Sequence, residues 1–225
     1  TLFPYTTLFR SYRIDMATDI RAATNQPPLL TGHHVVAGDA VLAAAVLRHG
    51  SPAVLDSLDE LGRQAGTEEA REHGMAANRF PPEHIPYDRW GNRVDEVRFH
   101  PSWHWLMERA VGFGLQAAPW VTTEPHAHVR RAAGFLAWSQ VEPGHGCPIS
   151  MTYAAVPALR ADAALAATWT PALAATSYDP GTRPLADKRG ALAGMGMTEK
   201  QGGSDVRTNV TTATPTGEEG LYALR

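Results

Sequence analysis

The sequence predicts a mainly α protein that turns to β structure near its end, and three observations carry this prediction. Apolar residues recur at helical spacing behind capping residues through most of the chain. Prolines and glycines punctuate those runs. Near Ala191 the pattern shifts to an uncharged Gly-rich stretch followed by alternating Val and Thr. Such alternation suits a strand, because β-branched side chains pack well on a pleated surface.

Taken in order, TLFPYTTLFRS (residues 1–11) reads as the translation of a sequencing-library adapter and is set aside as a scar, which makes an arbitrary C-terminus expected as well. TNQPPLL (24–30) is an extended, Pro-held segment. Asp39 caps a helix with Val41, Leu42, Ala45 and Leu47 that ends at Gly50. Ser51-Pro52 opens a second with Leu55, Leu58 and Leu61. Between Arg79 and His100, PYDRWGNRVDEVRFHP holds a turn flanked by Trp90 and Val94, as in a small hairpin or ordered loop. Pro101 starts a helix with Trp103, Leu106, Met107, Ala110 and Val111 on its apolar side. Thr123, with Pro125 behind it, caps another through Val129, Ala132, Ala133, Leu136 and Ala137. Pro148 opens an Ala-rich helix that Pro157 kinks or ends. After the Gly-rich turn, VRTNVTTATP predicts a strand, and TGEEG before LYALR predicts a hairpin. The expected organisation is a scar at 1–11, a helical domain at 12–189 and the beginning of a β domain at 190–225.

A chain of 225 residues, 44% hydrophobic and with a formal charge of −3, has enough apolar material for a core and no charge excess that argues for nucleic acid or anionic membrane. Charged residues and prolines interrupt every apolar run, so no membrane span is expected. The start lacks the pattern of a secretory signal, and Cys147 as the sole cysteine excludes an intrachain disulfide. Both fit a reducing cytoplasm.

The stretch that stands out is GMTEKQGGSDVRTN, residues 196–209. It lacks the Gly-Lys adjacency of a phosphate-binding loop, and it precedes a strand rather than the helix that a dinucleotide fingerprint opens. Its glycines permit positive φ angles and close backbone approach, Thr198 and Ser204 offer hydroxyls, and the amides of Gly202, Gly203 and Ser204 could form an anion nest. From residue types alone, an ordinary turn and a ligand cradle both stand.

The longer pattern MTEKQGGSD resembles the T-E-P-x-A-G-S-D signature of the acyl-CoA dehydrogenase flavoproteins. Lys200 replaces the usual proline, a departure that resembles the family's alkylation-response branch. NQPPLL, YDRWGNRVDEVRFHPSWHWLM, QVEPGHGCPISMTYAAVPAL and KRGALAGMGMTEKQGGSDVRTNVT agree with that branch in the same order, from about residue 24 to the end. The resemblance implies the N-terminal helical domain of the acyl-CoA dehydrogenase fold followed by the truncated start of its β domain, FAD as cofactor, an acyl-CoA substrate and a homotetramer. It implies that Met195, Gly196, Met197, Thr198, Glu199, Lys200, Gln201, Gly202, Gly203 and Ser204 line the flavin. Backbone around Met197 would face the pyrimidine edge, the Thr198 hydroxyl would bond there, and Ser204 would lie near the pyrophosphate and the acyl-CoA. Asp205 is expected to brace the turn. The glutamate that removes the α proton in the family belongs to a C-terminal domain without a counterpart here, so no catalytic residue is nominated and Glu199 is not a substitute. The branch is also associated with DNA protection through that same C-terminal part, which keeps open a non-catalytic DNA-protection protein. A helical binding module with a chance Gly-rich turn is the third possibility.

Other constellations are read as structural. His100 and His104 have a metal-compatible spacing but no acidic third ligand, so packing and capping are expected, and no metal. His126 and His128 are expected in a helix's first turn facing solvent or a carbonyl. Cys147 is expected buried at a helix start, with no orienting acid for His145. Trp103, Trp105, Phe113 and Trp120 are read as core or interface. Arg130-Arg131 and Lys188-Arg189 are read as solvated helix and loop ends.

Overall fold

The computed structural model describes residues 27–225. The adapter-like start and the first residues of TNQPPLL lie outside that range. Helix α1 (Ala40–His49) begins where expected, with the Asp39 carboxylate accepting from the amides of Val41 and Leu42 at 2.9 and 3.0 Å. Gly50 closes it by donating to the Val46 carbonyl, and Leu42 and Val46, one turn apart, are buried. Asp39→Ala is expected to cost about 1 kcal/mol, the usual worth of an N-cap, readable as a shifted urea midpoint with unchanged slope.

The single helix expected after Ser51 is instead two, α2 (Pro52–Asp56) and α3 (Asp59–Ala65). The break is local. The Ser57 hydroxyl donates to the Val54 carbonyl at 2.7 Å, and Leu58 leaves helical geometry at φ −98°, ψ 0°. Both Leu58 and Leu61 thereby reach the core. The next helix, α4 (Glu68–Arg79), carries few apolar residues, buries only the small Ala70 and Gly74, and did not announce itself in the sequence. Its ends are nonetheless marked, by Thr67 accepting from the Ala70 amide, by Glu68 and Glu69 in the first turn and by Arg79 in the last.

Strands β1 (Glu83–Tyr87) and β2 (Arg93–Arg98) form the expected hairpin, antiparallel, with Glu83 opposite Arg98 and Tyr87 opposite Arg93. The Asp88 carboxylate accepts from the amides of Trp90 and Asn92 across the turn, and Gly91 supplies φ +84°. Helix α5 (Pro101–Gly112) follows, capped by His100, whose Nδ1 accepts from the Ser102 amide at 3.1 Å. It ends in a Schellman motif, with Gly114 at φ +72°, the Gly114 amide donating to Val111 and that of Leu115 to Ala110. Leu115 is thus turned into the core.

Thr123 does not cap the next helix. Pro125 biases Glu124 away from helical geometry, the Thr122 hydroxyl accepts from the Glu124 amide, and α6 (Ala127–Trp138) starts only after His126 in the left-handed region. Helix α7 (Gly146–Leu159) holds Pro157 in its last turn and ends two residues later, and α8 (Ala163–Ala174) is capped by Asp162. Helix α4 packs on α5, α3 on α6 and α7 on α8. The main core joins Val46, Leu58, Leu61, Leu106, Leu115 and Trp138, and a smaller cluster holds Ala117, Val156, Leu173 and Ala174. Trp138 donates to the Leu106 carbonyl and stacks on Trp105, which in turn stacks on His73.

The strand expected from Val206 to Pro215 is shorter. Val206–Thr208 is a 3-10 turn held by Asp205, and only β3 (Ala213–Pro215) pairs, antiparallel with β4 (Tyr222–Leu224). The hairpin around TGEEG forms as expected, with Gly217 and Gly220 at positive φ. Among the described residues no helix is long and apolar enough to cross a membrane.

Candidate functional site

The segment that leads into the Gly-rich turn is pinned against the α7–α8 pair. The Ala191 amide donates to the Ala172 carbonyl at 3.0 Å, and the Ala193 amide donates to the Thr152 hydroxyl at 3.0 Å. Thr152, fully buried, donates the same hydroxyl to the Pro148 carbonyl at 2.7 Å. Gly190 permits the approach, since a Cβ there would strike the Ser177 carbonyl oxygen. Leu192 to Met195 then run along an apolar cleft of about 540 Å³, walled by Met151, Ala155, Trp169 and Leu173.

The turn itself is stiff. The Glu199 amide donates to the Gly202 carbonyl and the Gly202 amide to the Glu199 carbonyl, each at 3.2 Å, so Lys200 and Gln201 cap a tight loop. The Glu199 carboxylate reaches across to the Val210 and Thr211 amides, 2.9 Å each. Thr211, through side chain and amide, and Val210 pull the Glu199 carboxyl down to about 2. Asn209 donates to the Met197 carbonyl at 2.7 Å, while its Oδ1 is buried without a partner. Asp205 braces the turn as expected, accepting from the Arg207 amide and side chain.

The glycines work differently from the expectation. None of Gly194, Gly196, Gly202 and Gly203 takes a positive φ. Gly202 leaves room for Asn209 Oδ1, which a Cβ there would push aside. At Gly194 and Gly196 a Cβ would meet nothing within 4 Å, so the described residues themselves impose no glycine. Among the described residues, the amides of Gly203 and Ser204 have no backbone partner and the Thr198 and Ser204 hydroxyls stay out of the turn's own bonds. Met195, Met197, Thr198 and Ser204 are exposed. The structure therefore gathers Met195 to Ser204 into one surface whose open groups face outward, beside an apolar cleft. Asn209 Oδ1 packs inward over Gly202, while the open ground at Gly194 and Gly196 and the free hydroxyls lie on the outer face of the turn.

A second cleft of about 570 Å³ lies across Trp169 and Leu192 from the first, bounded by Phe99, Trp103, His104 and Tyr178. His104 Nδ1 and the Tyr178 hydroxyl are 2.8 Å apart. Burial lowers the His104 pKa and raises that of Tyr178 to about 12, so at neutral pH the phenol keeps its proton. Asp179 pins the loop at its rim: its carboxylate accepts from the Arg189 amide at 2.9 Å and pairs with Arg183, while Lys188 donates to the Asp179 and Gly181 carbonyls. His104 and Tyr178 stand 74 residues apart, and nothing local in the sequence links them.

Several expectations elsewhere are corrected. Cys147 is exposed, because α7 begins one residue earlier and turns that side chain outward. His145 does have an acid partner, Glu142, but the pair is buried and away from the thiol's surface position. His128 is exposed, as expected, and also bonds the Tyr153 hydroxyl at 2.7 Å. Arg131 is no solvated helix end: it donates to the Leu115 carbonyl at 2.8 Å between the Phe135 and Tyr153 rings. His100 caps and stacks on Phe80, and no group of three His, Cys, Asp or Glu among the described residues is placed to hold a metal.

This arrangement is the N-terminal helical part of the acyl-CoA dehydrogenase fold with the opening of its β part. Two solved structures share it. One, titled "Bd2924 apo-form", matches with a TM-score of 0.69 at 27% identity over 88% of this chain and 40% of its own. The other is ACDH-11 of Caenorhabditis elegans in complex with C11-CoA, with a TM-score of 0.73 at 23% identity over 90% of this chain and 34% of its own. Residues 25–180 match the family described as the adaptive response protein AidB N-terminal domain, and the chain belongs to that family. A relative from Escherichia coli (strain K12), "Putative acyl-CoA dehydrogenase AidB", is 44% identical over 202 residues, which is 89% of this chain and 37% of the relative. The chain thus spans little more than a third of the length of that relative.

Proposed function

We propose that the chain is the N-terminal part of an FAD-dependent acyl-CoA dehydrogenase-like flavoprotein and that Met195 to Ser204 cradle the flavin. The observation that carries this is the braced turn whose own glycines 194 and 196 and hydroxyls 198 and 204 are left open beside an apolar cleft. Thr198 would bond the pyrimidine edge, and Ser204 with the free amides of Gly203 and Ser204 would face the pyrophosphate. The flavin supplies a hydride acceptor. The chain's own part is to align: Thr152 and Ala172 fix the Ala191–Ala193 backbone, and Met151, Trp169 and Leu173 line the cleft for the acyl chain of an acyl-CoA. No residue among those described is assigned the α-proton abstraction, and Glu199 is spoken for by two backbone amides. A domain boundary near Arg189 and assembly as a tetramer belong to the same proposal. Of the two basic pairs, Arg131 and Lys188 are committed to internal carbonyls, while Arg189 stays exposed.

Titrating FAD into the chain and following quenching of flavin fluorescence tests the cradle. Thr198→Ala and Ser204→Ala are each expected to weaken binding roughly twofold to tenfold, the net worth of one hydrogen bond. Equal affinity in both variants and the parent would remove Thr198 and Ser204 from the site.

A further inference from the structure

The two clefts beside the turn share only Trp169 and Leu192, which stand between them. Trp169 projects from α8 and Leu192 from the extended segment opposite, and they are 38% and 37% exposed. Neither belongs to a core cluster. On the near side lies apolar space bounded by Met151, Leu173 and Met195, and on the far side lie Phe99, Trp103 and Tyr178. An indole is the largest side chain a helix can place in such a gap, and here it stands between the apolar near cleft and a far cleft whose aromatic residues share the lining with Asp95, Asp179, Arg183 and Lys188.

We propose that Trp169, with Leu192 against it, is the end wall that sets the length of the acyl chain accepted beside the turn. This rests on the acyl-CoA reading above. An alkyl chain gains affinity for each methylene it buries, roughly fourfold per carbon, until it meets a wall. Carbons beyond that point stay in water and add nothing. Trp169→Ala opens the far cleft behind the wall, and because Trp169 lies outside both cores the variant keeps the helical fold.

The test is calorimetric titration of the chain with saturated acyl-CoAs from four to sixteen carbons. The parent is expected to show affinity rising with length to a plateau. Trp169→Ala and, independently, Leu192→Ala should move that plateau to longer chains, with each carbon just beyond the parent's plateau binding about fourfold tighter. Leu165→Ala, an exposed change on the same helix away from both clefts, should leave the plateau in place. A plateau at the same length in the parent and both wall variants would overturn the wall while leaving the acyl-CoA reading intact. Failure of the parent to bind any acyl-CoA would overturn that reading and the wall with it.

Discussion

Glu142→Ala is expected to destabilise the chain by about 2 to 4 kcal/mol, the cost of leaving buried hydrogen-bond donors without their carboxylate acceptor. The Glu142 and His145 side chains are only 5% and 2% exposed. The Glu142 carboxylate accepts from the Gly144 amide at 2.6 Å, from the His145 amide at 2.8 Å and from His145 Nδ1 at 3.1 Å, which fixes the ring as the Nδ1–H tautomer against the edge of Trp138. Alanine leaves the His145 amide and imidazole N–H buried without acceptors and the part-buried Gly144 amide without its own. Glu142→Gln, which keeps an acceptor, should cost less. Chemical denaturation monitored by circular dichroism reads both, and a loss below about 1 kcal/mol for alanine would place the pair outside the packing that orients α7.

The same pair sets an acid limit. Burial, partly offset by Glu142, lowers the His145 pKa below 6.5, so the folded chain holds the ring neutral. As pH falls below 6.5 the unfolded chain takes up a proton that the folded chain refuses, and stability declines until pH passes the folded pKa. Burial raises the Glu142 pKa, but the His145 and Gly144 amides and the His145 ring outweigh it and hold the carboxyl below 4.5, adding a second loss as pH drops beneath that value.

The second large effect is expected at Glu199. Among the described residues its carboxylate accepts from the Val210 and Thr211 amides, so Glu199→Ala removes that anchor and leaves the loop held across by the Asn209 bond to the Met197 carbonyl and the weaker Gln201–Thr208 contacts. Flavin affinity should fall by about tenfold to a hundredfold, more than for Thr198→Ala or Ser204→Ala, because a preorganised surface becomes one that must be ordered on binding. Far-ultraviolet circular dichroism of the helices should not change. With the folded carboxyl near 2 and its ordinary value at 4.5, the bracing is complete above about pH 4.5 and is lost as pH falls toward 2. Glu199→Ala binding FAD as tightly as the parent would show that the brace does not shape the cradle.

Caps and periodicity made most helices legible: Asp39, Pro101 and the Leu55–Leu58–Leu61 spacing locate their elements, though not the break at Ser57. The last helices show how far a local pattern reaches. Val–Thr alternation after Asp205 suggests a strand, yet Asp205 and Thr208 bond their own backbone first and fold Val206–Thr208 into a 3-10 turn. At the site, the sequence shows which residues are present but not how they are held. The Glu199 brace, the Thr152 hydroxyl that seats Ala193 and the His104–Tyr178 contact all join residues far apart in the chain. For the Glu142–His145 pair the signal was local, an acid three residues before a histidine, but burial is what gives it weight.

The most direct test of the flavin cradle is to add FAD to isotope-labelled chain and follow backbone amide resonances by NMR. The largest shifts are expected at Met197, Thr198, Gly203 and Ser204, with the Glu83–Arg98 hairpin unmoved. Shifts confined to other surfaces, or none at saturating FAD, would contradict it.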